Sequence, residues 1–400
     1  MDSKKPHVFM GLFRAKMANN MAVSKKKVLI YSIAYFPYVG GAEAAVREIT
    51  DRIKTVEWHM VTCQFDTKLP QQEKIGNIMV YRVHCSKILF PFIGFWKGMR
   101  LQKKYQFSMV WSIMTFAGFA GLFHKIFSPK IKFLLTLQEG TPISEIKRKA
   151  AIVYPLFWLM FKMADKVQAI SHFLAGFGRD MGHTKEIAVV ANGVDLKYFA
   201  KTPKKSDLEI LRTKLGKKDG DVYLVTTSRL VKKNAIDDCI SALAFLPERV
   251  SLLVIGTGEE ENKLREQARM IGMRDRVRFI GFVSKEEIPK FLVISDIFVR
   301  PSRSEGFGNS FIEAMAAGLP VVATPVGGIP DFIDDHETGV FCRPDNPKSL
   351  AEAVLEIMEN SALRERIIRQ GKERAIVRYN WETIVKDMKE KAFIPLIGSI

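Results

Sequence analysis

Two carboxylates eight positions apart, Glu305 and Glu313, are the residues of this chain whose spacing says most about chemistry. An apolar segment that predicts a strand, Ile297–Val299, precedes them, and a helical pattern continues through Glu313. Four residues between the carboxylates are predicted to contact a bound ligand, namely Gly306, Phe307, Gly308 and Asn309.

Glycines at a strand-to-helix turn let backbone N–H groups approach an anion, and the N-terminus of the following helix adds a partial positive charge. A carboxylate accepts hydrogen bonds from two hydroxyls at once, which suits a ribose or a hexose. The segment therefore predicts a site for a sugar joined to a diphosphate.

Two cations, Arg229 and Lys233, follow the predicted strand Val222–Thr227. Arginine offers a planar fork and lysine a point charge, and both neutralise phosphate oxygens. When a glycosyl bond to a diphosphate breaks, negative charge grows on the leaving group. Cations fixed beside it therefore stabilise the transition state more than the ground state. We predict a catalytic set of Glu305, Arg229 and Lys233.

The string SEGFGNSFIEAMAAGLPVVATPVGG resembles the donor-site signature of the group-1 glycosyltransferases, a family of retaining enzymes with the GT-B fold. The resemblance implies a nucleotide-diphosphate sugar as co-substrate, no cofactor and no metal. It also implies that Glu305 contacts the transferring sugar and Glu313 the ribose or the sugar nearby. The family lysine most often falls where this chain has Asn234, before a glycine, so Lys233 is expected to take its role.

Other glycine-rich turns fit the same resemblance. Gly40, Gly41 and Glu43 resemble the family loop that lies under the donor phosphate and the acceptor. Gly256 and Gly258 follow another apolar segment and are interpreted as a turn on the nucleotide side. These glycines are predicted to bind the donor, and Glu43 to face the acceptor.

Many family members carry a histidine after the strand that ends here at Leu137. This chain has Gln138 and Glu139 instead, and we assign both to the acceptor side. The pair Asp219 and Asp221 forms an Asp-x-Asp, but it precedes a predicted strand and is interpreted as a turn. No metal ligand is predicted.

Strands alternate with helical segments along the whole chain, which indicates parallel sheets in an α/β fold. We predict a GT-B-like arrangement of two tandem doubly wound, Rossmann-like domains that face each other across a cleft. The divisions are a flexible extension (1–24), an acceptor-side domain (25–200), a donor domain (207–378) and a C-terminal helix returning to the first domain (379–400).

Charge is unevenly distributed: the net +18 comes almost entirely from residues 1–200, with 29 Lys and Arg against 13 Asp and Glu. This asymmetry predicts an anionic partner of the N-terminal half, and no nucleic-acid recognition motif accompanies it. We predict peripheral attachment to an anionic membrane, on the cytoplasmic face. Cations and aromatics expected to serve it are Phe92, Phe95, Trp96, Lys97, Arg100, Lys103, Lys104, Tyr105, Lys147, Arg148, Lys149, Tyr154 and Phe157; Trp158 follows them in the sequence but is expected to pack in the core.

The function predicted from these features is hexosyl transfer from a nucleotide-diphosphate sugar to a glycan or lipid-linked acceptor in cell-surface polysaccharide or glycolipid synthesis. Two other readings stay open: a nucleotide-sugar 2-epimerase of the same fold, and a non-catalytic basic protein that binds membrane or nucleic acid. The nucleotide base, the sugar, the acceptor and the oligomeric state are not predicted.

Overall fold

The computed structural model describes residues 25–400; the extension predicted for residues 1–24 lies outside them. Within the described range the chain forms two sheets, one of eight strands and one of six. Every strand pair is parallel except one, as the alternation of strands and helices predicts.

The first sheet has the strand order β3-β4-β2-β1-β5-β6-β7-β8. Its central strands are continuous apolar runs because helices cover them, and Val28–Tyr31 are buried without a polar interruption. The strands are β1 (Lys26–Tyr31), β2 (Val56–Cys63), β3 (Gln72–Ile75), β4 (Ile78–Val83), β5 (Met109–Ile113), β6 (Lys132–Leu137), β7 (Lys166–Ala169) and β8 (Ile187–Val189).

Six helices follow strands of the first sheet, and short 3₁₀ turns precede two of them. They are α1 (Gly41–Arg52), α2 (Phe90–Tyr105), α3 (Met114–Phe127), α4 (Ile143–Ala150), α5 (Tyr154–Met163) and α6 (His172–Asp180). Helix α3 packs between α2 and α5.

The second sheet has the order β11-β10-β9-β12-β13-β14. Alternate residues of its strands enter two separate apolar clusters, so both faces are covered: Leu224 and Val299 lie on one side, Val225 and Phe298 on the other. The strands are β9 (Val222–Thr227), β10 (Val250–Ile255), β11 (Val277–Gly281), β12 (Ile297–Arg300), β13 (Val321–Ala323) and β14 (Val340–Phe341).

Helices around and beyond this sheet complete the described residues. They are α7 (Leu196–Phe199), α8 (Lys205–Leu215), α9 (Ile236–Ala242), α10 (Glu261–Met270), α11 (Ile288–Val293), α12 (Asn309–Ala317), α13 (Pro347–Glu359), α14 (Ser361–Arg378), α15 (Trp381–Met388) and α16 (Ile394–Ile397).

The C-terminal segment crosses back onto the first domain, as the fold prediction required. A π-helical turn, Lys389–Phe393, joins α15 to α16. The Phe393 ring centroid lies 5.5 Å from that of Trp58 and 5.1 Å from that of Trp111, both in the core of the first sheet. This aromatic contact fixes the end of the chain to the opposite domain.

Some elements differ from the sequence prediction. Strand β3, which was not predicted, forms the antiparallel hairpin with β4; its residues alternate between exposed and half-buried because it lies at the sheet edge. Residues 201–206, which lie between the two predicted domains, contain the start of α8 at Lys205. No helix described within residues 25–400 has the length and apolarity needed to cross a membrane.

Candidate active site in the interdomain cleft

A cleft of about 550 Å³ lies between the carboxyl edges of the two sheets. This is the place where doubly wound domains bind ligands. The predicted site residues that line it are Gly40, Gly41, Glu43, Gln138, Arg229, Lys233, Glu305, Gly306, Phe307, Gly308 and Asn309. Four predicted residues do not line it: Glu139, Gly256, Gly258 and Glu313.

Glu305 is the centre of a charged network at the floor of the cleft. Its Oε2 accepts a hydrogen bond from Arg300 Nη2 at 2.8 Å, and its Oε1 lies 3.9 Å from Lys233 Nζ. The backbone N–H of Gly306 also donates to Oε1 at 3.1 Å. The carboxylate is therefore held from both sides before any ligand binds.

Arg300 was not predicted, although it lines the cleft. It is the last residue of β12 and only 5% exposed, and burial lowers the pKa of its guanidinium, with Glu305 opposing that shift. Its Nη1 donates to Ser310 Oγ at 2.6 Å, and its guanidinium lies 4.2 Å from the Phe311 ring centroid. In the sequence, the only feature that could have indicated Arg300 is its position as a cation at the end of the apolar segment Ile297–Val299.

Lys233 reaches the cleft because of the turn that carries it. Lys232–Asn234 form a 3₁₀ turn, and Ala235 follows in the left-handed region with φ +53°. Asn234, at the position expected for the family lysine, is buried and donates its amide to the Arg229 carbonyl at 2.7 Å. Burial lowers the pKa of Lys233, while Glu305 opposes that shift.

Among the cations that line the cleft within residues 25–400, Arg229 is the one with a side chain free to meet a ligand. Its side chain is exposed and makes no hydrogen bond or ion pair with any residue in the range 25–400 that the structure describes. It follows β9 directly, so its position is set by the sheet while its guanidinium stays open to the cleft.

Two helix N-termini meet across the cleft. Helix α1 begins at Gly41, and α12 begins at Asn309 after Gly308, whose φ of +103° favours glycine. A Cβ added at Gly41 would lie 3.2 Å from Asn309 Nδ2, so the two helix starts nearly touch. Glu43 accepts the Gly40 N–H at 2.7 Å, and burial raises the pKa of its carboxyl.

Hydrogen bonds link the acceptor-side domain to the start of α12. Gln138 Nε2 donates to Asn192 Oδ1 at 2.9 Å, and Asn192 Nδ2 donates to Asn309 Oδ1 at 3.2 Å. Gln138 Oε1 is buried and has no partner among the described residues. Polar side chains of both domains are thus joined along the lining of the cleft.

Glu139, predicted on the acceptor side, is buried and does not line the cleft. It is 4% exposed, and its Oε1 accepts the backbone N–H of Thr115 at 2.5 Å in the first turn of α3. Burial raises the pKa of this carboxyl. The side chain faces α3 beside Met114, which adopts a left-handed φ of +68° and lines the cleft in its place.

Gly256 and Gly258 also differ from the prediction. A Cβ at Gly256 would lie 1.9 Å from the Ser228 carbonyl oxygen, and one at Gly258 would lie 2.2 Å from that of Leu230. Both glycines therefore allow close backbone packing against the loop that carries Arg229. Their place in the structure is beneath this loop, not on the cleft surface.

Glu313 lies in α12, half-buried and outside the cleft lining. Burial raises the pKa of its carboxyl to about 7, against the opposing charges of Lys285 and Arg300. No hydrogen bond or ion pair holds it within residues 25–400. Phe307, in contrast, packs its ring 5.1 Å from Phe332 and fixes the glutamate loop.

Comparisons with known proteins agree with this geometry. Residues 207–374 match the family model described as "Glycosyl transferases group 1". An uncharacterized glycosyltransferase of Methanocaldococcus jannaschii is 26% identical over 83% of this chain and 88% of its own. N-acetyl-alpha-D-glucosaminyl L-malate synthase of Bacillus anthracis is 26% identical over 66% of this chain and 68% of its own.

Among solved structures, that of HepE from Anabaena in complex with UDP and glucose matches with a TM-score of 0.78 at 21% identity. The match covers 92% of this chain and 99% of that one. The fold is therefore GT-B, and the glutamate loop with its cations lies where the two domains face each other. Residues 207–374 of this chain are thus similar to the group 1 glycosyltransferases, and the chain shares its fold with HepE.

Proposed function

We propose that the protein is a retaining glycosyltransferase that moves a hexosyl unit from a nucleotide-diphosphate sugar to a glycan or lipid-linked acceptor, in the synthesis of cell-surface polysaccharide or glycolipid. One observation carries the proposal. Arg229, Lys233 and the N-termini of α1 and α12 converge on a single cleft beside the fixed carboxylate of Glu305.

The donor diphosphate is proposed to lie between α12 and the two cations. A helix N-terminus acts as roughly +0.5 of an elementary charge and offers unpaired N–H groups, so it binds phosphate oxygens. Arg229 adds a planar fork that has no competing protein partner among residues 25–400. The sugar then falls beside Glu305, whose oxygens accept hydroxyl hydrogen bonds.

The proposed reaction is a front-face displacement. The acceptor hydroxyl oxygen bonds to the anomeric carbon on the face from which the diphosphate departs. The carbon–oxygen bond to the phosphate breaks, and its electron pair stays with the diphosphate. The acceptor proton passes to a departing phosphate oxygen, so no side chain has to act as base. Arg229 and Lys233 stabilise the charge that develops.

We propose that these cations serve where other transferases use a divalent ion. Within the described residues, no three His, Cys, Asp or Glu side chains cluster in the way a metal site requires. HepE was solved with UDP and glucose, which favours a nucleoside-diphosphate sugar as donor. The screen of nucleotide sugars described below tests which nucleobase the donor carries.

The protein is proposed to attach to a membrane, where its acceptor is held, through an apolar helical face. This face is defined as the exposed hydrophobic side chains of residues 88–96, 116–127 and 152–158. Its most exposed members are Ile88, Leu89, Phe92, Trp96, Phe127 and Ile152. Phe92 stacks on Phe123 of α3 at 5.4 Å, and Phe119 contacts Phe157 of α5 at 6.0 Å, so the three helices form one surface. Such a surface indicates an interaction site.

The charge around the apolar helical face supports an anionic membrane as its proposed partner. Between His84 and Ala164 the sequence has twelve Lys and Arg but only two Asp and Glu, of which Glu139 is buried. Basic residues near an anionic leaflet contribute about 1 kcal/mol each, and aromatic rings settle at the headgroup level. An anionic membrane at the cytoplasmic face fits both properties. Two predicted members, Phe95 and Phe157, are instead buried in the core, whereas Trp158 is 37% exposed.

A screen of UDP-, GDP- and ADP-sugars tests the catalytic proposal. A donor at a hundred times its Kd adds about 2.7 kcal/mol to folding stability, which a thermal shift detects. The stabilising sugar should then release nucleoside diphosphate only when acceptor is present. Conversion of the sugar to an epimer without acceptor would indicate an epimerase. No stabilisation and no release with any sugar would overturn the proposal.

Vesicle co-sedimentation tests the membrane proposal. We expect binding to phosphatidylglycerol-rich vesicles that weakens with salt, and little binding to phosphatidylcholine. Phe92→Ser with Trp96→Ser should weaken it, whereas Phe245→Ser, an exposed phenylalanine of the other domain, should not. Equal and salt-independent binding to both lipids, or no binding to either, would refute the membrane proposal and indicate a soluble acceptor.

A further inference from the structure

We propose that Arg300 is a positioning residue of this active site: it orients the Glu305 carboxylate and ties it to the first turn of α12. The proposal rests on the function proposed above and adds to it a residue outside the glutamate motif. Burial of the Arg300 side chain has a free-energy cost. A guanidinium that is only 5% exposed loses its hydration; bonds from its two terminal nitrogens to protein atoms offset that loss, whereas its Nε has no partner among the described residues.

Arg300 bonds both ends of the donor-site loop, and its Nη1 also lies 3.5 Å from the carbonyl oxygen of Thr227 at the end of β9. Nη2 donates to Glu305 Oε2 at 2.8 Å and Nη1 to Ser310 Oγ at 2.6 Å. Glu305 lies in the loop before α12, and Ser310 lies in the first turn of that helix. One planar fork therefore sets the distance between the carboxylate and the helix N-terminus, the two features that we assign to sugar and diphosphate.

The support beneath this fork is rigid. Arg300 ends β12, whose four residues are all buried, and that strand pairs with β9 and β13. The ring of Phe311, 4.2 Å from the guanidinium, covers one of its faces. Arg300 thus fixes the position of the Glu305 carboxylate, which lies in a loop, relative to the central strands of the sheet. Supporting residues hold reacting groups in place in this way.

Arg300 acts through Glu305 and does not serve as a third phosphate cation. Both of its terminal nitrogens already donate to protein atoms, whereas the side chain of Arg229 makes no such bond within residues 25–400. Lys233 lies 3.9 Å from the other carboxylate oxygen, too far for a hydrogen bond. Arg300 is therefore the side chain that determines where the Glu305 oxygen points.

A double-mutant cycle tests this role with Arg300→Met, Glu305→Gln and the combination. Misplacing a reacting group by about 1 Å costs up to about 100-fold. We expect Arg300→Met to lower kcat by about 10-fold or more, while the Kd for nucleoside diphosphate changes less than about threefold. The double variant should be no slower than the slower single variant, because both changes remove one interaction.

Arg276→Met provides the matched control. Its guanidinium, like that of Arg300, is bonded to this domain: it donates to Val250 O at 2.9 Å and to Pro247 O at 2.8 Å. Arg276 precedes β11, however, and so lies at the amino ends of the strands, away from the cleft. We expect its kcat to remain at the wild-type value and its effects to add to those of Glu305→Gln. A merely structural role of Arg300 would give the same additive behaviour and would overturn the proposal.

Other outcomes are also decisive. Loss of nucleoside-diphosphate affinity at unchanged kcat would make Arg300 a donor ligand and refute the positioning role. If Arg300→Met fails to fold, the cycle is repeated with Arg300→Lys, which keeps the charge but not the two-pronged bond, and with Ser310→Ala. A wild-type protein that turns over no nucleotide sugar would refute the proposed function, and the inference with it.

Discussion

Replacement of Glu305 by glutamine is the sharpest test of the candidate site, because it keeps the size of the side chain and removes its charge. The carboxylate lies 2.8 Å from Arg300 Nη2 and 3.9 Å from Lys233 Nζ. At an effective dielectric constant of about 20, a charge pair at that longer separation interacts by about 4 kcal/mol before solvation is counted. The amide of the glutamine variant also turns its N–H₂ group toward either Arg300 or Lys233. Both of these side chains are hydrogen-bond donors, so the amide N–H₂ group cannot accept from them.

Only part of that interaction is specific to the transition state, so we expect kcat/KM to fall by at least about 10-fold, which is about 1.4 kcal/mol. The assay is acceptor-dependent release of nucleoside diphosphate, normalised to the folded fraction, since breaking a buried pair also destabilises the protein. Glu266→Gln, an exposed carboxylate paired with Arg269 on α10, should keep full activity. Full activity of Glu305→Gln would refute the site assignment.

Further predictions follow from the same structure. The pKa of Glu313 is raised to about 7, so the folded state holds its proton more tightly and the stability it contributes is lost as pH rises from about 4.5 to 7. Glu313→Gln should therefore unfold at a higher temperature than wild type at pH 8 but not at pH 4; a pH-independent difference would contradict this. Chelator should leave transfer intact, since Arg229 and Lys233 are proposed to stabilise the diphosphate; its loss, restored by a divalent ion, would disprove that. NMR of the fresh product should find the donor's anomeric configuration, and an inverted product would exclude a retaining mechanism.

The fold was predictable because its signals are local and repeated. Continuous apolar runs such as Val28–Tyr31 indicate buried parallel strands, and each is followed by a helical pattern. Strand β3, with the sequence QEKI, gave no such signal because an edge strand buries only part of one face. The start of α3 at Met114 was equally hidden, since a left-handed φ at a methionine is not encoded by any local residue preference.

Within the cleft, the residues found from sequence are those whose function depends on a short motif. Gly306 to Asn309 reach the cleft because strand, turn and helix are contiguous. Glu139 belongs to no such unit: its neighbour in space is the backbone of Thr115, 24 positions earlier, and that contact turns the side chain away from the cleft.

Arg300 illustrates the converse. It is five residues from Glu305, close enough for a motif, yet a strand-end arginine normally indicates where an apolar run meets solvent. Only the tertiary structure reveals that the end of β12 is enclosed by the glutamate loop, Ser310 and Phe311, so that this cation faces inward. A sequence search for cleft cations should therefore include charged residues at the carboxyl ends of central strands, because in a parallel sheet between two domains those ends point into the ligand site.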